Sequence, residues 1–184
     1  MGGKLVIPSR EYLDSCVEAG LELHEKHVEV FELYDPEKSS ADEWKEGILD
    51  TYDRWRRGVG LKKGQVPMST FWLVEDGEFI GSGDIRHRLT YKLRLMGGHI
   101  GYTIRPSRWG RGYGTLLLRL LLAEASLLGL REVLLTCRRD NAASAAVMRN
   151  NGAVYIDTIE ILVDGKKRLT SRYKIVIERE KKGT

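Results

Sequence analysis

The sequence is short of the residues that staple or anchor a chain. Its 184 residues include two cysteines, Cys16 and Cys137, which excludes a disulfide framework and a CxxC-paired zinc site. No apolar stretch approaches the roughly 18 residues that cross a bilayer. The N-terminus has no apolar run of secretory-signal length. The opening Met-Gly-Gly-Lys-Leu-Val also lacks the serine or threonine expected for myristoylation. These absences predict a cytoplasmic protein without membrane association. No repeat or linker divides the chain, so one domain over 1–184 is expected. A chain of this length can bury about 70% of the surface it exposes unfolded, and it needs no metal to do so.

A basic patch interleaved with aromatics is also missing, which argues against nucleic acid as partner. The formal charge of +4 conceals an uneven division. The first 50 residues hold 13 acidic and 5 basic side chains, so the remaining body carries +12. An acidic opening segment of this kind is either a set of solvated helix faces or part of a binding surface. The positive body suits an anionic ligand.

What is present reads as an α/β unit. A helix capped by Ser9 and running to about His27 is predicted, with Leu13, Val17, Leu21 and Leu23 on one stripe. Ser40-Ala41-Asp42-Glu43 has capping-box spacing, and Trp44, Ile48, Tyr52 and Trp55 follow as a second apolar stripe that suits a core. Strands over Thr70–Val74 and Phe79–Ile85 flank an Asp76-Gly77 turn. A strand over His99–Arg105 stops at Pro106, and a Leu-rich helix over Thr115–Leu128 is expected to be buried on most faces. Then come a strand at Glu132–Cys137, a short helix at Asn141–Asn150, and a hairpin of Val154–Val163 with Lys167–Ile177.

The loop Trp109-Gly110-Arg111-Gly112-Tyr113-Gly114 carries the most chemistry. Alternating glycines between a strand and a helix let backbone N–H groups converge without Cβ obstruction. With the positive end of the helix dipole they form a cradle for pyrophosphate, to which Arg108 and Arg111 would add charge-assisted contacts. The loop is not a Walker A sequence, because no Gly-Lys-Ser/Thr ends it. It is not a dinucleotide fingerprint, because Thr115 stands where the third glycine belongs.

The run His99-Ile100-Gly101-Tyr102-Thr103-Ile104-Arg105-Pro106-Ser107-Arg108-Trp109-Gly110-Arg111-Gly112-Tyr113-Gly114-Thr115 resembles the GNAT family, the Gcn5-related N-acetyltransferases. Asn141-Ala142-Ala143-Ser144 and Met148-Arg149-Asn150-Asn151-Gly152 extend the resemblance to about 55 of the 184 residues. It implies an α/β (α+β) GNAT-type acyl-CoA N-acyltransferase fold, a mostly antiparallel central sheet with helices on both faces. It also implies acetyl-CoA as cosubstrate and transfer of acetyl to a primary amine of a small molecule or peptide. The backbone near Ile104 would meet the pantetheine arm, and the segment Trp109, Gly110, Arg111, Gly112, Tyr113, Gly114 and Thr115 the pyrophosphate. Asn141 and Ser144 would also contact the pantetheine. No metal ligand is implied, and relatives that dimerise leave a homodimer open.

Two positions depart from the family pattern. Trp109 stands where arginine or glutamine is usual, and Met148 stands at the usual tyrosine acid and cannot donate a proton. His99 is the expected general base, because it opens the central strand and its unperturbed pKa is near 6.5. Asp84 and His87 are reserves, while Tyr102 and Tyr113 read as packing residues. The acidic helices, bordering the acceptor cleft in this fold, would suit a cationic amine. A non-catalytic acyl-CoA-binding sensor or interaction domain is the alternative reading.

Overall fold

The structure, a computed structural model, describes residues 2–28 and 33–177. A short strand, β1 (Lys4–Val6), leads through a 3-10 turn (Arg10–Tyr12) into α1 (Leu13–Glu25). Helix α2 (Ala41–Arg57) follows. Its start is the expected capping box: Glu43 N donates to Ser40 Oγ (3.3 Å) and Ser40 N to Glu43 Oε2 (3.0 Å). The predicted Ser9 cap is not formed. The Ser9 side chain makes no capping bond, and the chain enters the 3-10 turn before α1 begins. The end of the first helix also falls short of the expected His27, since that residue turns to φ 54°.

Strands β2 (Met68–Glu75) and β3 (Glu78–Arg86) form the expected hairpin. Asp76 and Gly77 both take positive φ, 51° and 80°, the two-residue turn whose twist matches flanking strands. A five-residue helix, α3 (Tyr91–Leu95), precedes β4 (Ile100–Ile104). Helix α4 (Tyr113–Leu127), strand β5 (Glu132–Arg138), helix α5 (Ala142–Asn150) and the hairpin of β6 (Val154–Val163) and β7 (Lys166–Val176) complete the order. No helix among the described residues is long and apolar enough to cross a membrane.

The expected central sheet is two antiparallel sheets, ordered β1-β2-β3-β4 and β5-β7-β6. They meet at one point beside the start of β4. His99 N donates to Leu134 O (2.7 Å), and Leu134 N donates to His99 Nδ1 (2.9 Å). Beyond that junction β4 and β5 share no ladder among the described residues, so a cleft separates them.

Strands β2 and β3 are buried on both faces, to which the pleat sends alternate side chains. Trp72, Val74 and Phe79 pack with Cys16, Ile48 and Tyr52 under α1 and α2. Leu73, Ile80 and Ile85 pack with Leu117, Leu118 and Leu121 under α4. The Leu-rich helix is thus buried where it crosses the sheet, while Leu127 at its end is exposed. Glycine is required where helix and sheet touch: a Cβ on Gly83 would lie 2.3 Å from Leu121 Cδ1.

Candidate functional site

Strand β4 ends at Ile104, and a 3-10 turn (Pro106–Arg108) aims the chain into the glycine loop. Gly110 and Gly112 have φ of 73° and 81°, conformations that L side chains rarely adopt. Helix α4 begins at Tyr113, two residues earlier than expected, so the loop opens directly onto its first turn. Gly112 occupies the cap and has no side chain to satisfy the first amides. Among the described residues, none of the amides from Gly110 to Thr115 donates to a protein carbonyl outside regular helix bonding. The first that does is Leu116 N, to Gly112 O (3.1 Å). Unsatisfied N–H groups at the positive end of a helix dipole are a seat for an anion.

Other side chains around this loop are already committed. Arg108 pairs with Glu78, so its charge is shared rather than free, contrary to the expectation that it would serve the phosphates. Tyr113 donates its hydroxyl to Glu75. Arg111 is exposed and stands apart from the cavity wall. Trp109, half exposed, donates its indole N–H to Ile104 O (2.7 Å).

The turn is held from below by an ion pair that sequence reasoning missed. Arg105, only 7% exposed, donates through Nε to Glu22 Oε1 of α1 (2.9 Å). Ser107 donates to the same carboxylate through N (2.8 Å) and Oγ (3.0 Å). Burial pushes the Glu22 pKa up, but the bonds from Arg105 and Ser107 outweigh it and hold the carboxyl below its usual range. The α1 stripe of glutamates looks solvated in sequence, and no spacing marks Glu22 as the one turned inward.

A cavity of about 680 Å³ lies between β4 and α5. Tyr102, Thr103 and Ile104 form one wall, the glycine loop one end, and Asn141, Ser144 and Val147 the other wall. Asn141 caps α5 by accepting from Ser144 N through Oδ1 (2.9 Å). Its side-chain amide keeps two donors for another partner. The cavity brings together every cofactor residue expected from the sequence except Arg111. Its size, glycine-lined end and uncommitted amides fit an elongated molecule bearing a pyrophosphate, such as acetyl-CoA.

A second cavity of about 310 Å³ continues past Tyr102 and Ser144, which line both. Tyr102 therefore does more than pack. Its hydroxyl lies 2.9 Å from Ser144 Oγ at the boundary between the two spaces. Burial pushes its pKa up to about 12, against the lowering effect of the Ser144 bond, so the phenol keeps its proton at neutral pH. The pleat could have found it: Tyr102 is two residues from Ile104 and shares its face.

His99 lines neither cavity. Its Nδ1 is occupied by the Leu134 amide, which leaves the proton of the neutral ring on Nε2. Burial, reinforced by Arg94, lowers its pKa. The reserves are also elsewhere: Asp84 accepts from Thr70 Oγ1 (2.6 Å) in the buried sheet, and His87 contacts Ser69 Oγ (2.9 Å). Met148 is buried in the core. Among the described residues neither cavity lining includes a carboxylate, and those of the opening segment that line the first cavity are Leu23 and Val28.

A family model described as an acetyltransferase (GNAT) domain matches residues 21–154. Among solved structures, the chain is similar to Mycobacterium smegmatis RimJ in complex with CoA-disulfide, at 22% identity and a TM-score of 0.72, covering 95% of this chain and 81% of that one. RimL, a ribosomal alpha-N-protein acetyltransferase in complex with coenzyme A, is similar at 17% identity and a TM-score of 0.70, over 95% and 94% of the two chains. MccE, a microcin self-immunity acetyltransferase in complex with acetyl-CoA and AMP, is similar at 13% identity and a TM-score of 0.69, over 95% and 92%. At these identities the likeness is one of fold. No curated protein matches the sequence.

Proposed function

The chain belongs to the GNAT acetyltransferases, and from that premise we propose that it moves the acetyl group of acetyl-CoA to a primary amine by direct attack on the thioester. The observation that carries this reading is the cleft itself. A glycine-lined anion seat, an open strand edge and the Tyr102–Ser144 pair lie along one continuous path between the two sheets. Acetyl-CoA, when bound, supplies an activated acyl carbon and a thiol leaving group of pKa near about 8.5.

The residues of this chain then have separate tasks. The amides of Gly110 to Thr115 bind the pyrophosphate. The Asn141 side-chain amide and the β4 backbone near Ile104 hold the pantetheine arm, and Ser144 orients the Tyr102 hydroxyl. Holding amine and acyl carbon together can supply about 7 kcal/mol or more of barrier reduction. As the C–N bond forms and the C–S bond breaks, the nitrogen loses a proton to solvent. Tyr102, protonated at neutral pH, donates one to the departing sulfur and is reprotonated from solvent.

Among the described residues the walls carry no carboxylate or histidine, and none needs to act as base. The second cavity is lined by arginines, and positive neighbours favour the neutral form of an amine. An α-amine, with an unperturbed pKa of about 7.7–8.0, then enters largely ready to attack. In this reading His99 pins the junction of the sheets, and the general-base role given to it by sequence is not retained.

The test combines purified protein, acetyl-CoA and a panel of amines, with release of free thiol followed continuously. Thiol release that depends on amine is expected. Tight coenzyme A binding by calorimetry without release for any amine would instead identify a binding module.

A further inference from the structure

The second cavity has a charge pattern that the acetyl-transfer reading does not require. Among the described residues its lining holds three guanidinium groups, from Arg86, Arg138 and Arg168, and no carboxylate. They come from three strands, so the pattern is not one solvated helix face. Arg86 ends β3, Arg138 ends β5 and pairs in register with Thr170, and Arg168 lies two residues from Thr170 on the same face of β7.

These cations are unequally committed. Arg138 donates through Nε to Asp140 Oδ1 (2.9 Å). Arg86 makes two long bonds, to the carbonyls of Gly97 and Gly98 (3.4 Å each). Arg168 donates to Met96 Sδ (3.8 Å) and has no carboxylate within 4 Å among the described residues, although it lies near enough to Asp140 to help lower that carboxyl's pKa. Among the described residues Arg86 and Arg168 thus offer donors that no carboxylate within 4 Å takes up.

The cavity also continues outward. Arg138 and Arg168 are shared with an adjoining groove of about 750 Å³, where Arg139, Lys166 and Lys167 outnumber Asp140 and Asp164. A site built for a polycationic acceptor would have the opposite signs.

The geometry points to an acceptor that is itself anionic: a primary amine with a carboxylate a few bonds away. The carboxylate would lie on Arg168 and Arg86, with the amine directed toward Tyr102 and Ser144. This assignment rests on the acetyl-transfer reading and narrows its substrate. Both an acidic peptide N-terminus and a free amino acid carry that chemistry, and the test separates them.

Three hexapeptides with free amino termini are compared, bearing aspartate, glutamine or lysine at the second and third positions, alongside free aspartate. Thiol release from acetyl-CoA gives kcat and KM for each. One charge-assisted bond contributes enough for about a tenfold preference. The acidic peptide, free aspartate, or both should therefore exceed the glutamine peptide by about tenfold or more in kcat/KM. Whichever leads identifies the source of the anion. Arg168→Gln should remove most of that preference through KM, and Arg86→Gln should reduce it further. Coenzyme A affinity, measured by calorimetry, should stay unchanged in both variants and so report that each has folded. If the glutamine or lysine peptide is acetylated as well as the acidic substrates, the anionic assignment fails while acetyl transfer stands. If Arg168→Gln keeps the acidic preference, the assignment also fails. If no amine releases thiol, both readings fall together.

Discussion

Replacing Glu22 by alanine removes the carboxylate that ties α1 to the turn entering the glycine loop. Four donors converge on it: Arg105 Nε and Nη2, Ser107 N and Ser107 Oγ. Arg105 is 7% exposed, and losing one partner of a buried ion pair costs about 3–5 kcal/mol when nothing replaces it. Here replacement is partial. The guanidinium keeps Ser15 Oγ (3.3 Å) and Phe79 O (3.2 Å), and the exposed Glu18 carboxylate lies 3.7 Å away. Those contacts reduce the expected loss to about 2–3 kcal/mol, since solvent-exposed pairs recover little. For a chain of this size that corresponds to a fall in Tm of about 5–10 °C, measured by circular dichroism at pH 7.

The pH dependence makes the test sharper. Because the folded pKa of Glu22 lies below its unfolded value, its stabilisation is complete above the unfolded value of about 4.3. It is lost as pH falls through the lower folded value. The Tm gap between wild type and Glu22→Ala should therefore close in acid. A gap under about 1 °C at pH 7, or one that persists unchanged below the folded pKa, would refute the clamp.

Three further outcomes follow from the site. His99→Ala should lower stability by about 1–2 kcal/mol, the cost of leaving the Leu134 amide unpaired. His99→Asn, which can offer an acceptor in its place, should recover part of the loss in denaturant melts; equal damage by both, with an altered pH–rate profile, would restore the base. Since the folded pKa of His99 is lowered, its neutral form favours the fold above about pH 6.5, and that contribution fades as pH falls from there toward the lower folded value. Tyr102→Phe should cut kcat about tenfold with coenzyme A affinity retained, because a thiolate leaves tolerably without an acid; an unchanged kcat would confine Tyr102 to packing. Gly112→Val puts a β-branched residue at φ 81° on the helix cap, and calorimetry should show coenzyme A affinity reduced by about tenfold or more.

The elements with long patterns were readable before the structure. The capping box at Ser40, the Asp76-Gly77 turn and the Leu-rich helix each rest on local chemistry, and each formed. Strand β1 and helix α3 have three and five residues, too few to show a period. The cofactor wall was legible because glycine spacing and the Asn141 cap are local signals. The Glu22–Arg105 clamp spans 83 positions, and the arginines of the second cavity come from strands far apart in sequence. Only folding brings such groups together. Charge counted in blocks cannot tell which acidic groups face a cavity.

The Trp109 indole has an optical consequence. Of the four tryptophans, Trp72 is fully enclosed in the core, while Trp109 is half exposed and bound to Ile104 O at the rim of the cleft. A ligand arm that donates to that carbonyl would compete with or perturb the indole bond. Occupancy of the cleft should thus appear as a change in intrinsic fluorescence, and Trp109→Phe should silence it. Under the proposed cofactor assignment, the residue that breaks the family pattern reports on occupancy of the cleft.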